Sequence, residues 1–232
     1  MELSPLGLGL VSARYPSKRT AWALRAEFDT VELNSSFYRW PRPAAFKAWR
    51  DRLPPGFALS VKAARGLTHG KRLHAPEVWV DRMSACWHEL ADKRAVLLVQ
   101  LRPDHVRDDA RLEYFLELLP EWMRVAVEFR HPSWHHDDVL ALLERHNAGY
   151  CVMSGAQLPC VLAATAPFVY VRLHGPDREY LYGGSYSKAD LGWWADRIGE
   201  WESMGRDVFV YFNNDGDGNA VRNAQSLRDI LA

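Results

Sequence analysis

The stretch Val125-Ala126-Val127-Glu128-Phe129-Arg130 puts apolar side chains at Val127 and Phe129 and charged ones at Glu128 and Arg130. A period of two marks a β-strand whose faces meet different surroundings. The same alternation recurs. Val31 and Leu33 alternate with Glu32 and Asn34, Leu59 and Val61 with Ser60 and Lys62, Val171 and Leu173 with Arg172 and His174, and Val210 and Phe212 with Tyr211 and Asn213. Strand candidates run along the whole chain, at Leu6 to Val11, Thr30 to Asn34, Phe57 to Ala63, Val96 to Leu101, Val125 to Arg130, Gly149 to Ser154, Phe168 to His174 and Val208 to Asn213. Amphipathic stretches separate them, opened by helix-start signals at Pro43, Pro76-Glu77, Asp108-Asp109, Ser187 before Lys188-Ala189-Asp190, and Asn219.

Strands alternating with helices build a parallel sheet. Eight such units predict an α/β fold, a single (β/α)8 TIM-type barrel over residues 1–232, with irregular first and sixth units. Ala156 to Pro167 holds two prolines and no helical face. The structural alternative, a doubly wound open sheet, would carry a glycine-rich phosphate loop after its first strand. The chain has neither G-x-G-x-x-G nor a Walker sequence.

Composition narrows the function classes. With 232 residues, 48% of them hydrophobic, the chain suits one large domain. Lys+Arg and Asp+Glu both count 29, so the bulk positive field of a non-specific nucleic-acid or membrane binder is missing, and a polyanion would have to meet a local patch. Cys86, Cys151 and Cys160 form no C-x-x-C pair, which argues against a disulfide framework and for a reducing cytosol. No secretory leader and no membrane-length apolar run is legible. The expectation is a soluble cytoplasmic protein with a small-molecule substrate and no membrane partner.

Strand parity also points to a site. With the apolar set under the helices, Glu32, Asn34, Lys62, Gln100, Glu128, Arg130, Arg172, His174, Tyr211 and Asn213 face the lumen near the C-terminal strand ends, where barrel enzymes hold their active sites. Two glutamates against one lysine and two arginines leave one positive charge. That balance suits a small polar substrate, anionic or sugar-like. Glu128 and Glu32 are the expected acid/base pair. Arg172 and Arg130 would clamp an anion, His174 would shuttle protons, and Lys62 would stabilise charge or, less favoured, act as a desolvated Schiff-base nucleophile. Asn34, Gln100, Tyr211 and Asn213 would bond the substrate. On the fifth βα loop His131 adds a polar contact and Trp134 a flat face for a ring. Tyr38, Arg72 and Tyr186 are secondary loop candidates, and Thr68-His69 with Arg72 and His74 could reach a phosphate or form a solvated loop, the latter slightly favoured. No redox cofactor is expected. No H-x-x-x-H or H-E-x-x-H motif is present and the basic residues repel cations, so a divalent metal is a minor alternative. The competing non-catalytic readings are a ligand-binding barrel and a structural ion network. Among enzymes, a glycoside hydrolase stays open.

Several blocks resemble the YecE-like domain-of-unknown-function family 72. They are Thr30-Val31-Glu32-Leu33-Asn34-Ser35-Ser36-Phe37-Tyr38, Ser60-Val61-Lys62-Ala63 with Thr68-His69 and Arg72-Leu73, Glu128-Phe129-Arg130-His131-Pro132-Ser133-Trp134, Tyr170-Val171-Arg172-Leu173-His174-Gly175, and Tyr211-Phe212-Asn213-Asn214-Asp215. They follow the family's order from about Thr30 to the C-terminus. The resemblance implies a TIM-type barrel, distantly similar to the endonuclease IV and xylose isomerase group, and carries no particular activity. On that fold analogy a metal-dependent phosphodiesterase or nuclease is a further rival. The family's opening Gly-Thr-Ser-Gly-Trp is replaced here by a different segment over Gly7 to Pro16.

Overall fold

The alternating strands close on themselves. In the computed structural model, which describes residues 7–11 and 27–232, the strands are β1 (Gly7–Val11), β2 (Thr30–Leu33), β3 (Ala58–Lys62), β4 (Arg94–Gln100), β5 (Val125–Glu128), β6 (Gly149–Ser154), β7 (Phe168–Leu173) and β8 (Asp207–Phe212). Each pairs in parallel with the next, and β1 also pairs with β8, Gly9 lying opposite both Thr30 and Tyr211. The result is the closed eight-stranded barrel that the alternation predicts. The helices are α1 (Pro43–Arg50), α2 (Glu77–His88), α3 (Asp109–Glu117), α4 (Asp137–Arg145), α5 (Lys188–Ser203) and α6 (Asn219–Leu231). None of the described helices is long and apolar enough to cross a membrane. The region between β1 and β2, 12–26, lies outside the described residues, and with it the expected irregularity of the first unit.

Local chemistry starts these helices where the sequence signals stand. Asp108 accepts the backbone N–H of Arg111 at 3.1 Å, and Ser187 with Asp190 forms a reciprocal capping box. The last helix differs by one position. Gly218, at φ 73°, takes the cap, so Asn219 is the first helical residue.

Parity sorts the strand side chains into two cores. Val31, Val61, Val127, Phe129, Val171, Leu173, Val210 and Phe212 lie in the layer between sheet and helices. Val96, Leu98, Ala126, Cys151, Met153, Phe168, Tyr170, Phe209 and Tyr211 fill the lumen. Gly149 makes room there, since a Cβ at this position would stand 2.8 Å from the Phe168 ring. On β5, β7 and β8 the lumen side changes from apolar at the base to polar at the top, as in Phe168, Tyr170, Arg172, His174. Burial at the base stabilises the fold, and the polar groups are left to the C-terminal rim. Asn34, Arg130, His174 and Asn213 fall just beyond the strand ends, because the chain turns into loops there. His174 and Asn213 still donate backbone N–H bonds across the rim, to the Ser154 carbonyl at 2.6 Å and the Leu173 carbonyl at 2.7 Å.

The sixth unit is irregular, as expected from its prolines. Residues 155–167 form no helix, and the β5–β6 pairing is short, registering Ala126 with Gly149 and Val127 with Tyr150. Buried Thr165 compensates. Its hydroxyl accepts the Tyr150 N–H at 2.8 Å and donates to the Ala148 carbonyl at 2.7 Å. Thr165→Val keeps the shape but strips both bonds from buried backbone groups, so urea unfolding is expected to show a loss of about 2 kcal/mol.

Candidate functional site

The C-terminal ends of β2, β5 and β7 converge on one guanidinium. Arg172, almost fully buried, donates from Nη1 to Glu128 Oε2 at 2.5 Å and from Nη2 to Glu32 Oε1 at 2.9 Å. The remaining oxygen of Glu32 accepts from the Tyr170 hydroxyl at 2.7 Å, and that of Glu128 accepts from Arg130 Nε. Both carboxylates are fully buried and both are saturated with donors. Burial by itself would raise the Glu128 carboxyl, but Arg130 and Arg172 hold it well below the usual carboxylate range. A group held this way stays ionised at neutral pH, which removes it from general-acid duty.

His174 completes the network. Arg130 has only donors, so its Nη2, 3.2 Å from His174 Nε2, requires that nitrogen to accept. The proton then sits on Nδ1, and Asn213, 3.1 Å away, must offer its amide oxygen to it. Burial, reinforced by Arg172, keeps this imidazole well below its ordinary value and therefore neutral. Glu32, Glu128, Arg130 and Arg172 cancel in charge.

The surplus positive charge resides on Lys62. Its side chain, at the end of β3, has its Nζ 4.4 Å from the centre of the Phe37 ring. The residue is 8% exposed, and no carboxylate of the described residues lies within ion-pair distance. Burial and the neighbouring Arg172 lower the amine from its ordinary 10.5 to about 8. A second orphan lies beside it, for Arg172 Nε is buried without an acceptor.

Lys62 and Arg172 line an open cavity of about 660 Å³ at the barrel mouth. Asn34, Gln100 and Asn213 join them from the strand ends, Phe37 and Tyr38 from the single-turn helix Ser35–Tyr38, and His69, Leu181, Tyr182 and Asp215 from the other connections. A wide helical turn, Gly66–Gly70, brings in His69, whose ring meets the Phe37 ring edge-on at 4.8 Å. Burial, with Lys62 next, lowers this histidine to about 4. Asp215 sits at the rim, its carboxyl raised to about 6 by desolvation.

Other expected site residues lie elsewhere. Trp134 offers no face to a ligand. It is 1% exposed, stacks on Phe129 at 4.8 Å and donates from Nε1 to the His105 carbonyl at 2.6 Å, because the turn Pro132–Trp134 folds the indole back under the helices. His131 staples that turn, its Nδ1 accepting the Ser133 N–H at 3.2 Å. Tyr211 lies one layer below the network, bonded to Thr30 at 2.7 Å and Ser60 at 2.8 Å. Arg72 points outward to Asp104 at 2.9 Å, and Tyr186 is buried, accepting the Gly175 N–H at 3.0 Å. Conversely, Tyr170, Phe37, Tyr182 and Asp215 were not singled out from the sequence. Tyr170 was legible by parity, two residues before Arg172; the loop residues had no periodic signal. Among the described residues no three His, Cys, Asp or Glu side chains group to hold a metal ion.

Comparison with known proteins places this arrangement. The family described as protein of unknown function DUF72 matches residues 12–232. The chain belongs to the DUF72 family. It is 27% identical to UPF0759 protein YunF of Bacillus subtilis (strain 168), with 93% of this chain and 87% of that protein covered. A DUF72 protein of Enterococcus faecalis V583 superposes with a TM-score of 0.87 at 18% identity, covering 98% of this chain and 95% of the other. One from Thermotoga maritima MSB8 gives 0.80 at 24% identity, covering 97% and 99%. At these identities the solved structures speak for the shared fold.

The two charged sets of this DUF72 barrel have opposite consequences for stability. Glu128→Gln leaves Arg172 and Arg130 short of a counter-charge in a buried site, and a loss of about 3–5 kcal/mol is expected in urea unfolding. Lys62→Met removes a cation that the fold desolvates without a partner, and should stabilise by on the order of 1–3 kcal/mol at pH 7. Because the folded-state value lies below the unfolded one, the unfolded chain binds the extra proton between about 8 and 10.5, so wild-type stability from this group rises with pH across that window. The advantage of Lys62→Met should therefore shrink when the same curves are measured at pH 10.

Proposed function

We propose that the barrel is an enzyme acting at its mouth on a small oxygen-rich anion, a carboxylate or phosphate ester that also carries hydroxyl or carbonyl groups. The observation that carries this reading is Lys62, 8% exposed, outside ion-pair distance of any carboxylate of the described residues, and lining the same cavity as Arg172. Native proteins seldom leave buried polar groups unsatisfied, and each exception needs an explanation. An anionic ligand supplies one for Lys62, whose ammonium would meet its oxygens from the cavity side.

The other lining groups take roles by their chemistry. Asn34, Gln100 and Asn213 bond hydroxyl or carbonyl oxygens. Phe37 and Tyr182 exclude water, which strengthens the charge interactions below them. His69, neutral at physiological pH, and Asp215 are placed to exchange protons. The quartet Glu32, Glu128, Arg130 and Arg172, with His174, positions the guanidinium face and does not contact the substrate otherwise. A neighbouring groove of about 850 Å³ shares Phe37 and Tyr38 and adds Arg39, Arg42, Arg65 and Arg82 with no acidic residue in its lining, which favours anions further.

The rivals lose support from the same geometry. A glycoside hydrolase needs two carboxyls facing the substrate, one of them protonated, whereas Glu32 and Glu128 share one guanidinium and neither lines the cavity. A metal-dependent phosphodiesterase needs a convergent donor set, which the described residues do not provide.

Thermal unfolding tests the reading with glycerate, glycerol phosphate and inorganic phosphate against glucose and magnesium or zinc chloride. The organic anions are expected to raise the melting temperature by several degrees at saturating concentration, and Lys62→Met should abolish the shift. An equal shift from glucose, or one indifferent to Lys62→Met, would overturn it.

A further inference from the structure

We propose that Lys62 is a covalent catalyst that condenses with a carbonyl group, so that the substrate is an oxo-anion, a compound carrying both an aldehyde or ketone and a carboxylate or phosphate. This rests on the anion-binding reading above and goes beyond it, because charge alone would need only a protonated lysine or an arginine. The chain has six lysines. Lys93, the other buried one, pairs with Asp92 at 2.9 Å. Lys47, Lys71 and Lys188 are exposed to water. Lys62 alone among the described lysines combines burial, a cavity in front of it and no anion beside it.

Its surroundings favour the neutral amine, the form that attacks carbonyls. Arg172 and Arg130 carry fixed positive charge on the lumen side. Burial is the larger cause; Glu128 and Glu32, each ion-paired to a guanidinium, pull the other way and offset the cations only in part. The Phe37 ring lies over the nitrogen at 4.4 Å, a cation–π contact that works towards the charged form and that burial outweighs. The lowered value of about 8 is the consequence of this placement.

The step balances without an oxidant or reductant. Lys62 first gives up one proton, and its lone pair forms a C–N bond to the carbonyl carbon while the C–O π pair moves to oxygen. That oxygen takes the proton that the nitrogen, now positively charged, gives up, which leaves a neutral carbinolamine with its nitrogen lone pair restored. The hydroxyl then leaves as water with one further proton, and the nitrogen lone pair closes the iminium. Overall, one ammonium and one carbonyl give one iminium and one water. Neutral His69 touches the same Phe37 ring and lines the same cavity as Asp215, so either can carry the protons between these stages. An iminium so formed withdraws electrons from the adjacent carbon, which activates the C–H or C–C bond there for cleavage.

Reductive trapping on the full chain tests this. The protein is incubated with sodium cyanoborohydride and pyruvate, dihydroxyacetone phosphate or acetone, and labelled lysines are located by peptide mass spectrometry. The expected result is a reduced adduct on Lys62, formed on the order of tenfold or more faster than at Lys47, Lys71 or Lys188, with acetone well behind the charged carbonyls. Preference for pyruvate assigns a 2-oxo acid, and preference for dihydroxyacetone phosphate a phosphorylated aldehyde or ketone. The Lys62 labelling rate should rise through an inflection near 8, whereas a merely structural lysine would follow the exposed ones. Labelling confined to the exposed lysines overturns the covalent step. If pyruvate or dihydroxyacetone phosphate still raises the melting temperature in that case, the anion-binding reading stands alone; if neither shift nor adduct appears, both fall.

Discussion

The mouth of this barrel depends on one guanidinium shared between two carboxylates. Arg172 can occupy the lumen only because Glu32 and Glu128 take one Nη each, and those carboxylates can be buried only because Tyr170 and Arg130 satisfy their remaining oxygens. Five side chains from three strands and their ends are thereby fixed relative to one another. Such a network is a weak source of stability, since desolvation offsets much of the Coulomb gain. Its value is geometric. It pins the ends of β2, β5 and β7 and sets Arg172 as a rigid floor.

That floor explains the state of Lys62. A fully compensated quartet has no negative charge to spare, so the lysine on the neighbouring β3 stands beside two cations with both glutamates already committed. The fold bears the resulting cost, roughly 3 kcal/mol by the size of its shift, without an evident structural return. Strain of this kind is characteristic of groups kept for chemistry. The geometry therefore divides these groups: both glutamates are bound by guanidinium groups, while Lys62 is left without a carboxylate partner among the described residues.

Much of this was legible in the sequence because a barrel strand has a strict period of two. Glu128, Arg130, Arg172 and His174 declared their lumen side by alternation with Val127, Phe129, Val171 and Leu173, and Lys62 did so beside Val61. Alternation gives direction but not height or company. Tyr211 points inward as read, yet the register with Gly9 and Arg172 sets its hydroxyl among Thr30 and Ser60, below the cavity. The acid/base expectation for Glu128 and Glu32 failed to foresee that one arginine would bind both, a three-strand coincidence that no local pattern encodes. Trp134 was misplaced because its position depends on how Pro132 turns the chain after Arg130, and a tryptophan after a proline turn serves a core as readily as a site. His69, Tyr182 and Asp215 come from loops, where no periodicity exists to read.

Those loops complete the site in a manner the strands cannot. Gly175 follows His174 at φ 104°, and the Gly183 carbonyl occupies the space where a Cβ would lie, 2.2 Å from it. This close return lets Tyr182 donate its N–H to the His174 carbonyl at 2.7 Å and set its ring against the imidazole, 5.3 Å between centres. The loop is thus anchored to the buried network at its base, while Leu181 and Tyr182 form the cavity wall above. A rigid polar floor and an apolar wall hinged on glycine together make a space that excludes water around Lys62 yet stays open to solvent on one side. A buried amine needs both conditions if it is to lose its proton and still meet a substrate.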